Sequence, residues 1–510
     1  MGRSRNKPAV RRAPRARTHA TFPTREFYEA LRACDYDQCR ALATGDSPAA
    51  IFAASRLALR ERRYLDIIGW LSAMQPASRA DALERDVWLG AALGLTRDFV
   101  AGKQLLDRAL RRLPKHDSLI EDAQYYRAAI AWVEHDHRTA EHIIAPQLQS
   151  KDASNRARSH IMLSWIAIRR YDVETHIREL EAALDEVESA PNRDELYPAA
   201  ALLTLSVLCR EISLPKALAR VRTAYDSTRW NNGLAGERFQ TARMLAWCDA
   251  LEGNELGAFG RLRATTSMAP SEYWRVLCLL DRAQLAKQTG ERAFAMDMLQ
   301  EAHELASGLQ WETTVGEERA ALTVLAEMFA SVDASISQRY LALHRSLSSV
   351  SAMLAYGGDP RVRAFEAYGS GMAQLHLGDR RGAEARLLEV WSIFNDFHYG
   401  WRRALCALGL FEATRKTEWL ERASRCIAPW PRSWVARMVL TATTMAHRQP
   451  ELPAVQRQVL ELLQTGKRNA EIAAVLGRSP HTVRNHVAQL FKKYRVRTRA
   501  ALAAASQDRG

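Results

Sequence analysis

Between residues 451 and 499, ten Lys and Arg side chains stand against three carboxylates, and the first 17 residues hold seven more bases with no acid. Side chains in such runs neutralise polyanions, nucleic-acid phosphates above all. Each end supplies +7 of the chain's net +14, which leaves residues 18–450 close to neutral. Two other groupings could do chemistry. Glu134-His135-Asp136-His137 with His142 has metal-ligand residue types, and Trp391, Phe394, Phe397, His398, Tyr399 and Trp401 could line a ligand groove. The histidine run falls on a break between helical stretches and closes no ligand set, so we expect a turn there and no metal. The aromatic cluster reads as packing between helices. No nucleophile–base arrangement stands out, so an enzyme and a cofactor are not expected.

A chain of 510 residues, 47% hydrophobic and 25% charged, can bury a large core and divides into several domains or one long array. Its seven cysteines have no paired spacing, which argues against a disulfide framework or a zinc site and suits a reducing, cytoplasmic compartment. The longest apolar run, Ala199 to Cys209, is about half the ~20 residues that a membrane helix needs. The basic start lacks an apolar signal core behind it, and Asn6 stands where a myristoylation signal wants Ser or Thr. A membrane role is therefore not expected.

From about 25 to 440 the apolar spacing is helical throughout. Small residues recur twelve apart: Gly90 and Gly102, Ala128 and Ala140, Ala246 and Ala258, Ala283 and Ala295, Gly371 and Ala383. Inside each pair lies a polar break, respectively Arg97-Asp98, His135-Asp136, Gly253-Asn254, Gly290-Glu291 and Gly378-Asp379. Two helices joined by such a turn can approach closely where the small residues meet, and one hairpin alone cannot bury both of its faces. The spacing predicts about ten hairpins stacked into a superhelix. The pattern resembles the tetratricopeptide repeat, closely at Gly90, Asp98, Phe99, Gly102, Ala109 and Pro114 and loosely elsewhere.

Four short helices are expected at the C-terminus, over 455–464, 469–476, 479–494 and 498–506. The stretch 470–477, ending in Gly477, and the following Arg478-Ser479-Pro480-His481-Thr482-Val483 have the pattern of a helix, a tight turn and a capped second helix. Ser479 suits the N-cap and Pro480 the first helical position. Ile472, Val475, Val483, Val487 and Leu490 are expected to form the small core.

This segment resembles the LuxR/FixJ-type DNA-binding domain of bacterial transcription regulators. The likeness rests on Leu452, Val459, Leu460, Leu462, Gly466, Asn469, Glu471, Ile472, Ala473, Leu476, Ser479, Thr482, Val483, His486, Val487, Lys493, Val496, Arg499 and Ala501. Positions 453–456 depart from the family pattern. The resemblance implies base reading by Arg484, Asn485 and Ala488, with Thr482 at a phosphate. Arg can pair bidentately with guanine and Asn with adenine, so the chemistry of Arg484 and Asn485 suits that role. Lys467, Arg478, Lys492, Lys493, Arg495 and Arg497 would hold the backbone. The last helix would pair two domains through Thr498, Ala501, Leu502 and Ala505.

The sequence thus predicts an all-α chain: a disordered basic tail (1–24), a tetratricopeptide-like sensor or interaction body (25–440), a linker (441–451) and a LuxR-type helix-turn-helix domain (452–508). The expected partners are double-stranded DNA, a second copy on DNA, and an unknown protein, peptide or small-molecule effector on the repeats. A non-DNA-binding interaction scaffold is the alternative.

Overall fold

A computed structural model describes residues 22–507 apart from 189, 312–316, 352–359, 448–451 and 495, and within helices leaves out the side chains of 317–320, 348–351, 362, 447 and 504–507. Most of the expected basic tail lies outside the described residues, and its last residue, Thr24, already begins the first helix, Thr24–Arg32. All regular structure among the described residues is helical. Eleven successive hairpins and one last single helix, Trp434–His447, form the body, close to the expected number.

The turns explain why the hairpins form. Arg97, His135, Gly253, Gly290 and Gly378 all take left-handed backbone angles, with φ between 65° and 92°. That reversal ends one helix and hands the next residue to the N-cap. The side chains of Asp98, Asp136, Asn254 and Asp379 then each accept a hydrogen bond from the backbone N–H three residues on, at 3.0–3.1 Å. The His135–Asp136 segment is thus one of these turns, and no cluster of metal-binding side chains occurs among the described residues.

The small pairs meet as expected. A Cβ on Gly102 would stand 2.8 Å from the Gly90 carbonyl oxygen, and one on Gly94 would stand 2.1 Å from Ile130 Cδ1. Ala128, Ala140, Ala246, Ala258 and Ala283 are fully buried in equivalent hairpins. Of the aromatic cluster, Phe394, Phe397, Tyr399 and Trp401 are core residues, and Trp391 packs edge-on against Trp419.

The coil also closes on itself across long stretches of sequence. The backbone N–H of Gly233 donates to the Cys34 carbonyl at 3.0 Å, and the Tyr36 N–H donates to Asn232 Oδ1 at 2.8 Å. Further along, Tyr171 packs tilted against Phe397, Trp247 stacks on Trp401, and Arg402 reaches Glu211. The last body helix seats Trp434, Val435 and Val439 in the same core. Residues 441–447, expected in a linker, are the final turns of that helix. All seven cysteines are free thiols, six of them buried. Among the described residues no helix is long and apolar enough to cross a membrane.

Candidate nucleic-acid interface

Four helices build the C-terminal domain: Ala454–Gln464, Asn469–Leu476, Pro480–Tyr494 and Arg499–Gln507. Their core is Val459, Leu460, Leu463, Ile472, Ala473, Val483, Val487, Leu490, Tyr494 and Leu502. Gly477 ends the second helix in the left-handed region at φ 60°, and the Arg478 N–H returns to the Ala473 carbonyl at 2.9 Å. Ser479 Oγ accepts from the Thr482 N–H at 3.1 Å, capping the third helix as expected.

With Val483, Val487 and Leu490 buried, the third helix turns His481, Arg484, Asn485, Ala488 and Lys492 outward. These positions recur three and four apart and form one exposed stripe, the geometry needed to lie in a major groove. Arg484, Asn485 and Ala488, the expected base readers, all lie on it. Thr482 is half-buried, with its hydroxyl 2.8 Å from Ser479 Oγ. Arg478, Lys492, Lys493 and Arg497 are exposed and Lys467 is half-buried, while Arg495 lies outside the described residues.

Two expectations need correction. Val475 is 59% exposed: the buried side of its eight-residue helix centres on Ile472, Ala473 and Leu476, and Val475 turns off that side. Leu502, expected at a pairing surface, is fully buried in the domain's own core, so it cannot also face a partner. Thr498 Oγ1 accepts from the Ala501 N–H at 3.1 Å and so caps the last helix. Ala501 is exposed beside it, and the Ala505 side chain lies outside the described residues.

Sequence reading missed how the domain is braced. Arg499 donates to Asn469 Oδ1 at 2.7 Å and to the Lys467 carbonyl at 2.6 Å, tying the last helix to the start of the second. Gln456, 5% exposed, donates to Gln489 Oε1 at 2.6 Å and braces the flank of the outward-facing helix. Neither contact has a local sequence signal, because the partners are 30 and 33 residues apart.

The body carries a second polar feature. Along the first helices of successive hairpins, Arg56 lies 4.3 Å from the Trp88 ring and 5.0 Å from the Tyr28 ring, with Glu84 at 3.5 Å and Asp122 at 3.8 Å. Arg158 continues the ladder, 2.8 Å from Asp122 and 4.3 Å from the Tyr125 ring. Arg56, Glu84 and Asp122 keep a fifth to a quarter of their side-chain surface open to solvent. Apart from this ladder, a surface depression of about 590 Å³ is lined by His135, Asp136, His137, Arg138, Glu141 and Arg170. Burial there, reinforced by His135, Arg169 and Arg170, lowers the pKa of His137.

Residues 452–505 match the family model described as "Bacterial regulatory proteins, luxR family". No curated protein matches the chain. Among solved structures, a Rap protein complexed with competence and sporulation factor aligns at 12% identity and a TM-score of 0.37, over 82% of this chain and 97% of its own. The APC/C hetero-tetramer Cut9-Hcn1 aligns at 12% identity and a TM-score of 0.38, over 89% of this chain and 86% of its own. The match to the family model covers the four-helix domain and stops before the body, and within it the capped turn and outward stripe stand where a groove-binding helix needs them: the C-terminal domain is a LuxR-family helix-turn-helix domain.

Proposed function

We propose that this protein is a sequence-specific, DNA-binding transcription regulator whose helical-repeat body receives a ligand or protein partner. The observation that carries the reading is the exposed stripe of Arg484, Asn485 and Ala488 on a helix whose N-terminus is capped by Ser479. Arg484 and Asn485 read base edges, while Lys467, Arg478, Thr482, Lys492, Lys493, Arg495 and Arg497 hold phosphates. The domain acts in pairs on a two-fold site, with Thr498, Ala501 and Ala505 on the helix that pairs. The body, folded into a closed coil, is the receiving part; the charged ladder from Arg56 to Arg158 supports a polar effector there. The protein works in the cytoplasm, as a binding protein and not as an enzyme.

Fluorescence-anisotropy titration of genomic DNA fragments across a salt series tests the reading. The full chain should bind with an affinity that falls steeply with salt, and a chain ending at residue 447 should not bind. Arg484→Ala should weaken specific binding by roughly 1–3 kcal/mol. Lys492→Ala should weaken binding to all sequences alike and reduce the salt slope by about one. Absent or salt-independent binding by the full chain would leave an interaction scaffold.

A further inference from the structure

The last helix of the body ends in an uncovered stripe. Trp434, Met438, Thr441 and Met445 recur at helical spacing along one line of Trp434–His447. Trp434 is buried against Trp247 and Trp401, whereas Met438 is 36% and Met445 67% exposed, and Thr441 between them is exposed. Leu440, about 120° round the helix from this stripe, is 68% exposed as well. From Met438 to Ala446 the helix carries no charged residue, and Arg437 just before it is ion-paired with Glu255. Stacked-repeat proteins close their ends with a polar outer face, because an apolar one associates. Among the described residues, Met438, Thr441 and Met445 are left exposed at this end.

We infer that the Met438–Thr441–Met445 stripe is a self-association surface, on which a second copy of this chain lays the same stripe. Several observations favour a second copy over other occupants. The DNA-binding domain begins at Ala454, seven residues after His447, a reach of about 24 Å at full extension. Two bodies joined here would therefore hold two DNA-binding domains within range of half-sites one helical turn, about 34 Å, apart. Thr441 and Ala442 are small enough for two helices to cross closely between the methionines. The body is close to neutral, so two copies do not repel. The chain's own DNA-binding domain is a poor occupant, since it brings exposed Arg and Lys to a stripe that offers no carboxylate. The inference rests on the regulator reading only for the need to bring two DNA-binding domains together.

Sedimentation velocity of the full chain without DNA, over a micromolar concentration series, tests it. The wild type should reach twice the monomer mass. Met438→Glu with Met445→Glu should weaken self-association by about a hundredfold or more, because the contact would bury carboxylates without partners. Both side chains are at least a third exposed, so the variant should keep the helical circular dichroism of the wild type and lose at most the stability that pairing adds. Thr441→Cys should form a covalent dimer under mild oxidation, with the wild type as control, whose most accessible thiol is the half-buried Cys426. A monomeric wild type, a double variant that associates like the wild type, or Thr441→Cys that stays uncoupled would each overturn the inference. So would a monomeric chain in which the double variant changes DNA affinity, which would put the DNA-binding domain on the stripe. Dimers that bind no DNA would keep this surface and remove the regulator reading, whereas DNA binding by a chain that never pairs through the stripe would do the reverse.

Discussion

Arg402 Nε lies 2.8 Å from both carboxylate oxygens of Glu211, a residue 191 positions away in the sequence. Glu211 is fully buried, and the Arg402 guanidinium is held between the Phe365 and Trp401 rings, 4.4 and 4.5 Å from their centroids. Burial lowers the pKa of Arg402, and the Glu211 carboxylate works against that shift. The pair fastens the tenth and eleventh hairpins to the sixth.

Arg210, itself buried, lies 2.6 Å from the same carboxylate, so removing Glu211 strands two cations inside the coil. Glu211→Leu should therefore destabilise the body by about 3–5 kcal/mol, whereas adding Arg402→Met and Arg210→Met to it should recover much of that. Chemical denaturation of the two variants beside the wild type reads the difference. Equal loss in the single and triple variants would mean that these charges do not fasten the coil.

Gly94 leaves no room for a side chain, since its Cβ would stand 2.1 Å from Ile130 Cδ1. Gly94→Ala should cost about 1–3 kcal/mol by overpacking, despite the gain in helix propensity. Gly260 has open space around its Cβ position and sits mid-helix, so Gly260→Ala should stabilise by a few tenths to about 1 kcal/mol. Thermal melts of the two variants should move in opposite directions.

Burial raises the Glu327 carboxyl from an ordinary 4.5 to about 7, against the pull of Lys287 and Arg402. The folded chain then holds a proton that the unfolded chain releases, so this group's contribution to stability is present below pH 4.5 and declines as the pH rises to about 7. Glu327→Gln should flatten that part of the profile. Denaturant midpoints at half-unit pH steps in both chains test the sign; a wild type whose excess stability over the variant grows from pH 5 to 7 would refute it.

Arg499 bridges Asn469 and the Lys467 carbonyl without touching the outward stripe. Arg499→Ala should loosen the DNA-binding domain by roughly 1–3 kcal/mol, leaving acceptors of a charged donor unpaired. Hydrogen exchange should then rise in the helices Asn469–Leu476 and Arg499–Gln507 while the body is unchanged. Exchange that rises in neither helix would show that the bridge carries no stability.

The amino-acid sequence by itself determined whatever depends on neighbours a few residues away. A left-handed residue followed by Asp or Asn wrote the turns at 97–98, 135–136, 253–254 and 378–379, the small residues twelve apart wrote the close contact of Gly90 with Gly102, and Gly477-Arg478-Ser479-Pro480 wrote the turn that presents Arg484 and Asn485. These signals are local because capping and backbone reversal are local. The helix through His447 was less legible. Thr441, Thr443 and Thr444 are weak helix formers, and the packing of Trp434, Val435 and Val439 on the body anchors that helix nonetheless. Short helices hide which of their apolar residues face inward, so only packing put Leu502 in the core and left Val475 outside. Tertiary structure alone joined Arg402 to Glu211 and Gly233 to Cys34, because contacts roughly two hundred residues apart leave no period in the chain. It alone also left Met438 and Met445 uncovered, since an apolar stripe looks the same in sequence whether or not a neighbour arrives to bury it.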